Sequence, residues 1–122
     1  AKLYDNVFKK YKSFIPQEVP KGYVHSYFTY SVKSPFKELQ DWKKFYKFHT
    51  TNNGDTFYAM MATVYKEKIM QELGYDKECS GSCPITEEIQ PRCILFKTNY
   101  RNLTEAKKNI DILEKNLKSF FG

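Results

Sequence analysis

Cys83-Pro84-Ile85-Thr86-Glu87-Glu88-Ile89-Gln90-Pro91-Arg92-Cys93-Ile94-Leu95-Phe96-Lys97-Thr98-Asn99-Tyr100 is the stretch on which the reading of this chain turns. Its first part, together with the residues before it from 76 on, predicts an irregular loop ending at Pro91. Cys93 to Thr98 is then a short apolar run of strand type. Directly behind it Thr104 stands where a helix cap belongs, and Ile110, Leu113, Leu117 and Phe120–Phe121 recur at helical spacing. A strand that feeds a helix in this way needs sheet partners, and the chain offers them only far upstream.

Tyr23 to Val32 is dense in β-branched and aromatic residues, with Val24, Phe28, Tyr30 and Val32 on one alternating face, and it predicts a second strand. Before it, Leu3, Val7, Phe8, Tyr11 and Phe14 give residues 3–14 a helical period that Ile15-Pro16 stops, and residues 16–22 form a loop. After it, Ser34-Pro35 reads as a helix start, with Phe36, Leu39, Trp42 and Phe45 on the inward face. Thr50 to Asp55 has nothing apolar to bury and an Asn-Gly signal at its centre, so it is a loop. Residues 56–73 admit two readings. Phe57, Met61, Tyr65, Ile69 and Leu73 step by four towards the terminator Gly74 and favour a helix, whereas Thr56 to Tyr65 would also pair as a strand across the Asn-Gly turn. Two strands so far apart are not stable alone. The expectation is therefore an α+β domain spanning 1–122, with a small antiparallel sheet, helices packed on one face, and a helix at each terminus.

The bulk properties narrow the function. With 122 residues the chain has room for one core. No apolar run approaches the roughly 18 residues of a membrane span, so no membrane partner is expected. The net charge is +6, but only Arg92 and Arg101 among the 20 basic residues are arginines, and the lysines are spread over several helix faces. Nucleic-acid surfaces lean on Arg, so no nucleic-acid partner is expected. The three cysteines, Cys79, Cys83 and Cys93, fit a reducing compartment and a cytoplasmic location better than a disulfide framework, and their spacing is no recognised zinc pattern.

The order of these words resembles the C-terminal small domain of the DegT/StrS-type aminotransferases. The carriers are His25, Tyr27 and Tyr30 in an H-x-Y-x-x-Y strand, Pro35-Phe36-Lys37-Glu38-Leu39 before a helix, and Gly54-Asp55-Thr56-Phe57-Tyr58. The tract Cys83-Pro84, Glu87, Gln90-Pro91-Arg92 and Phe96-Lys97-Thr98-Asn99-Tyr100 completes the match, which spans nearly the whole chain. The resemblance implies part of a pyridoxal-phosphate enzyme that aminates nucleotide-linked keto-sugars as a homodimer. It also implies that the cofactor lysine and phosphate cup belong to a large domain, since no lysine here has the family's setting and no glycine-rich phosphate loop occurs. By itself the chain is expected to be inactive.

Candidates for a substrate cleft are His25, His49, Asn53, Gly54, Asp55 and Tyr58, chosen because loops on a rigid scaffold carry function disproportionately. Adjacent Glu87 and Glu88 point apart and do not suit acid–base work, and Arg92 is expected in a structural salt bridge. Two rivals fit the same order of elements. One is a secreted four-helix bundle of the short-chain cytokine type, with a disulfide between loop cysteines and a glycan on Asn102. The other is a binding module that keeps the small-domain fold without the chemistry.

Overall fold

The computed structural model describes residues 1–59 and 63–122. Among these, six helices and four strands form an α+β fold with a helix at each end. Helix α1 covers Lys2–Phe8 and strand β1 Ile15–Pro16. Strand β2 (Thr29–Lys33) and helix α2 (Leu39–Thr51) follow, then strand β3 (Phe57–Ala59). Three short helices, α3 (Lys68–Glu72), α4 (Tyr75–Cys79) and α5 (Pro84–Ile89), lead to strand β4 (Cys93–Lys97) and the long helix α6 (Leu103–Phe121). The rival four-helix bundle allows strands in its long crossovers, whereas here a four-stranded sheet with helices packed on it makes the architecture α+β.

The sheet is antiparallel throughout, in the order β1-β2-β4-β3. The last strand in sequence therefore lies inside, with Ser31 opposite Leu95 on one side and Tyr58 opposite Leu95 on the other. Pro16, which has no amide hydrogen to give to a ladder, sits on the edge strand. Side-chain alternation sends Tyr30, Val32, Ile94, Phe96 and Phe57 to one face, where all are buried. Helices α1, α2 and α6 cover that face with Tyr4, Val7, Phe8, Phe45, Ile110, Leu113 and Leu117. The abundance of aromatic residues is spent here. Phe45 lies 5.6 Å from Phe57 and 5.2 Å from Phe120, and Phe8 lies 5.4 Å from Phe14, ring centre to ring centre.

Several expectations are corrected. The first helix stops at Phe8, and the chain runs on in tight turns, with the amides of Lys10, Tyr11 and Phe14 each donating three residues back. Tyr11 and Phe14 still point inward by this route. The second strand begins at Thr29 rather than Tyr23. Val24 is 98% and Phe28 91% exposed, so neither shares the buried face of Tyr30 and Val32. The cause is local. His25 Nδ1 accepts the Tyr27 amide hydrogen at 2.7 Å, using a donor that a ladder needs, and Tyr27 has φ of +50°. β4 has no residue left to pair beyond Thr29, and Thr98 Oγ1 instead donates to the Tyr27 carbonyl at 2.6 Å.

Ser34 does not cap a helix. Its hydroxyl donates to the Arg92 carbonyl at 2.7 Å, stitching the end of β2 to the start of β4, and α2 begins five residues later. Leu39 is consequently 39% exposed and not part of the inward face. The closing helix is capped by Asn102, not Thr104, the Asn102 Oδ1 accepting the Glu105 amide at 2.9 Å. Residues 56–73 combine both readings, with strand at 57–59, a helical turn at Val64–Lys66 and α3 at 68–72. The Met61 step of the helical reading lies outside the described residues. The expected loop of 76–91 is largely α4 and α5.

Candidate functional site

Among the described residues helices α1, α2 and α6 cover one face of the sheet, and the outward set of side chains is only partly buried or exposed. Thr29, Ser31 and Lys33 on β2, Tyr58 on β3, and Cys93, Leu95 and Lys97 on β4 belong to it. Two cavities open there. One, of about 560 Å³, lies between Phe28, Tyr58, Leu95, Lys97 and Asn99. The other, of about 630 Å³, lies between Ile15, Gln17, Lys33, Ile89, Cys93 and Leu95. Phe28 is almost wholly exposed and Tyr58 59% exposed, so large apolar rings stand in solvent beside the first cavity. Exposed apolar surface beside a cavity is the kind of feature found at interaction sites and ligand-binding grooves.

Lys97 is a charged residue of this face with a defined set of partners. Its Nζ lies 3.2 Å from Asp55 Oδ2, and the ion pair holds the lysine above its usual pKa. The ammonium also stands 5.4 Å from the centre of the Tyr100 ring. The Tyr100 hydroxyl meets that of Tyr4 at 3.1 Å, and Tyr4 donates to the Lys97 carbonyl at 2.8 Å. Burial pushes the Tyr4 and Tyr100 hydroxyls up, so both are neutral donors.

The structure scatters the residues expected to line one cleft. His49 is buried under the sheet, its Nδ1 held at 3.0 Å by the Asn116 side-chain amide, which also reaches the carbonyls of His49 and Asn52. Burial pulls its pKa down to about 4, against a small opposing pull from Asp55, so the ring is neutral near pH 7. Asn53, with φ of +61°, and Gly54 turn the chain over that ring, and the Gly54 amide donates to the His49 carbonyl at 2.8 Å. His49, Asn53 and Gly54 thus form a structural hub. His25 sits at a separate corner, its ring tilted against that of Tyr27 and its Nε2 3.3 Å from Gln17 Oε1. Only Asp55 and Tyr58 of the six reach the open face or its rim. Phe28 and Lys97 were missed as site residues, although exposure of an aromatic beside a strand end and a lysine in Phe96-Lys97-Thr98-Asn99-Tyr100 were both readable.

Among the described residues the open face carries Lys33, Tyr58, Cys93 and Lys97 as its titratable side chains. Cys93 is its thiol, and burial raises the pKa, which disfavours the nucleophilic thiolate. Among the described residues no cluster of three His, Cys, Asp or Glu side chains could hold a metal ion. Glu87 is taken up by Tyr65, Lys66 and the Gly81 amide, and Glu88 pairs with Arg92 at 3.0 Å, as expected for that arginine. Pyridoxal phosphate does not fit these residues: no lysine is buried, and of Lys33 and Lys97 on this face the latter is held by Asp55. No helix among the described residues is long and apolar enough to cross a membrane. Comparison with family models, with curated proteins and with solved structures returned no match.

Proposed function

We propose that this chain is the small domain of a pyridoxal-phosphate-dependent aminotransferase of the DegT/StrS type, acting on a nucleotide-linked keto-sugar. One observation carries the reading: among the described residues helices α1, α2 and α6 cover one face of the sheet, and the other face offers cavities and exposed rings. That is what a domain needs in order to close over a site that another domain supplies. The open face would seat the large domain, which brings the cofactor lysine, and the complete enzyme would be a homodimer. The role of this chain is to exclude water from the cleft and to narrow the choice of substrate. The motif order from His25 to Tyr100 supports the same assignment.

The test uses the full gene product. Purified, it is expected to contain pyridoxal phosphate and to transfer an amino group from an amino acid to a nucleotide-linked keto-sugar. Replacing Phe28 and Tyr58 by Ser should lower that activity while the circular dichroism spectrum of the chain stays unchanged. A full gene product with neither cofactor nor transfer would sink the reading and leave a binding module.

A further inference from the structure

We infer that Cys79 and Cys83 are a reversible dithiol–disulfide pair closed across the turn between α4 and α5. None of the three cysteines is bonded to another in the structure. Cys79 is the last residue of α4 and Cys83 directly precedes α5. Between them the chain reverses. Ser80 has φ −58° and ψ 128°, Gly81 has φ +79°, and the Ser82 amide donates to the Cys79 carbonyl at 3.0 Å. These are the marks of a type II turn, in which the first and fourth residues approach within about 7 Å. Cys83 is the next residue along. A disulfide requires Cα atoms about 4.4–6.8 Å apart, a range that a reversal of this kind brings within reach.

The turn is held from both sides. The Ser80 amide closes the last turn of α4 on Asp76 at 3.0 Å. On the other side the Gly81 amide donates to Glu87 Oε1 at 3.1 Å, and Lys66 holds the other oxygen of that carboxylate at 3.0 Å. Gly81 supplies the positive φ that the turn demands at no steric cost. Cys93 belongs to a different place, on β4 opposite Lys33, and is an internal control.

The exchange balances with a low-molecular-weight disulfide such as oxidised glutathione. The thiolate of exposed Cys83 attacks one sulfur of that disulfide, breaking its S–S bond and expelling one glutathione thiolate. The Cys79 thiolate then attacks Cys83 Sγ, forming the internal bond and expelling the second. Two protein thiols are oxidised, one disulfide is reduced to two thiols, and the two protons end on the released glutathiones. The bond would tie α4 to α5, whose last residue, Ile89, lines a cavity of the open face. The inference stands apart from the aminotransferase reading.

Trypsin reads the outcome directly. It cuts after Lys77 and Arg92, so both cysteines leave on the single peptide 78–92 and Cys93 leaves on 93–97. The folded chain is equilibrated with reduced and oxidised glutathione, free thiols are alkylated, and the digest is weighed. Peptide 78–92 is expected unalkylated and lighter by two hydrogens, with Cys93 alkylated, and reduction restores both thiols. Cys93→Ser should change nothing, whereas Cys79→Ser should leave Cys83 carrying glutathione. Overturning results are stable glutathione on 78–92 of the unsubstituted chain, a link between 78–92 and 93–97, or full alkylation of 78–92 under oxidising poise.

Discussion

A side chain at position 54 would collide with the His49 ring, since a Cβ there falls 2.2 Å from His49 Nε2. The ring cannot step aside because Asn116 grips its other nitrogen and Phe45 and Phe57 pack beside it. Gly54→Ala is therefore expected to cost about 1–3 kcal/mol, read as a lower urea midpoint at unchanged slope. The same ring sets a pH dependence. Unfolded, His49 takes a proton near pH 6.5; folded, it resists until about pH 4. Between those values the unfolded state binds more protons, so stability is full above about 6.5 and falls as the pH drops towards 4, by at most roughly 3 kcal/mol. His49→Gln should flatten that part of the profile, and NMR titration of the ring should show it neutral at pH 6. The His49–Gly54 turn was legible from its Asn-Gly signal. Asn116 falls on the inward stripe between Leu113 and Leu117, where a polar residue needs a buried partner, but the sequence does not name that partner.

Each element owes its ends to groups that pattern alone does not display. The period of α6 is plain in the sequence, and Thr104 is the capping residue nearest its apolar run. Asn102 caps it instead, while Glu105 Oε2 accepts the Arg101 amide at 2.9 Å. Asn102→Ala should cost about 1 kcal/mol of stability, and Thr104→Ala much less, in thermal or urea unfolding. The alternation from Tyr23 to Val32 was equally plain, yet a strand extends only as far as its neighbour does, and β4 offers five residues. β4 itself was placed correctly because its apolar run is bounded by Pro91 and by the polar Thr98-Asn99. Ile94 is wholly buried at its centre. Ile94→Ala should cost about 2–5 kcal/mol by equilibrium unfolding.

Seen whole, the molecule has a finished side and an unfinished one. The finished side holds the core, and the layering was readable because the apolar spacing of α6 and the Tyr30–Val32 alternation both demand a partner. The open face was not readable in the same way, since Leu95 and Tyr58 look like core residues in a list and only the register shows which way they turn. On that face Phe28→Ser with Tyr58→Ser should leave the unfolding free energy of the isolated chain within about 0.5 kcal/mol. Light scattering at raised concentration should show the variant associating less than the parent.

The strand order has a consequence for how the protein is made. β2 and β3 do not touch each other; each waits for β4, whose residues leave the ribosome more than thirty positions after β3. Through that interval the nascent chain carries two strands with unpaired edges and an aromatic-rich surface that nothing covers. Pairings this distant in sequence form slowly, and the exposed edges invite wrong partners. A chain stalled or cut before Cys93 has no central strand to build on, so it should be cleared as unfolded polypeptide rather than persist as a smaller domain.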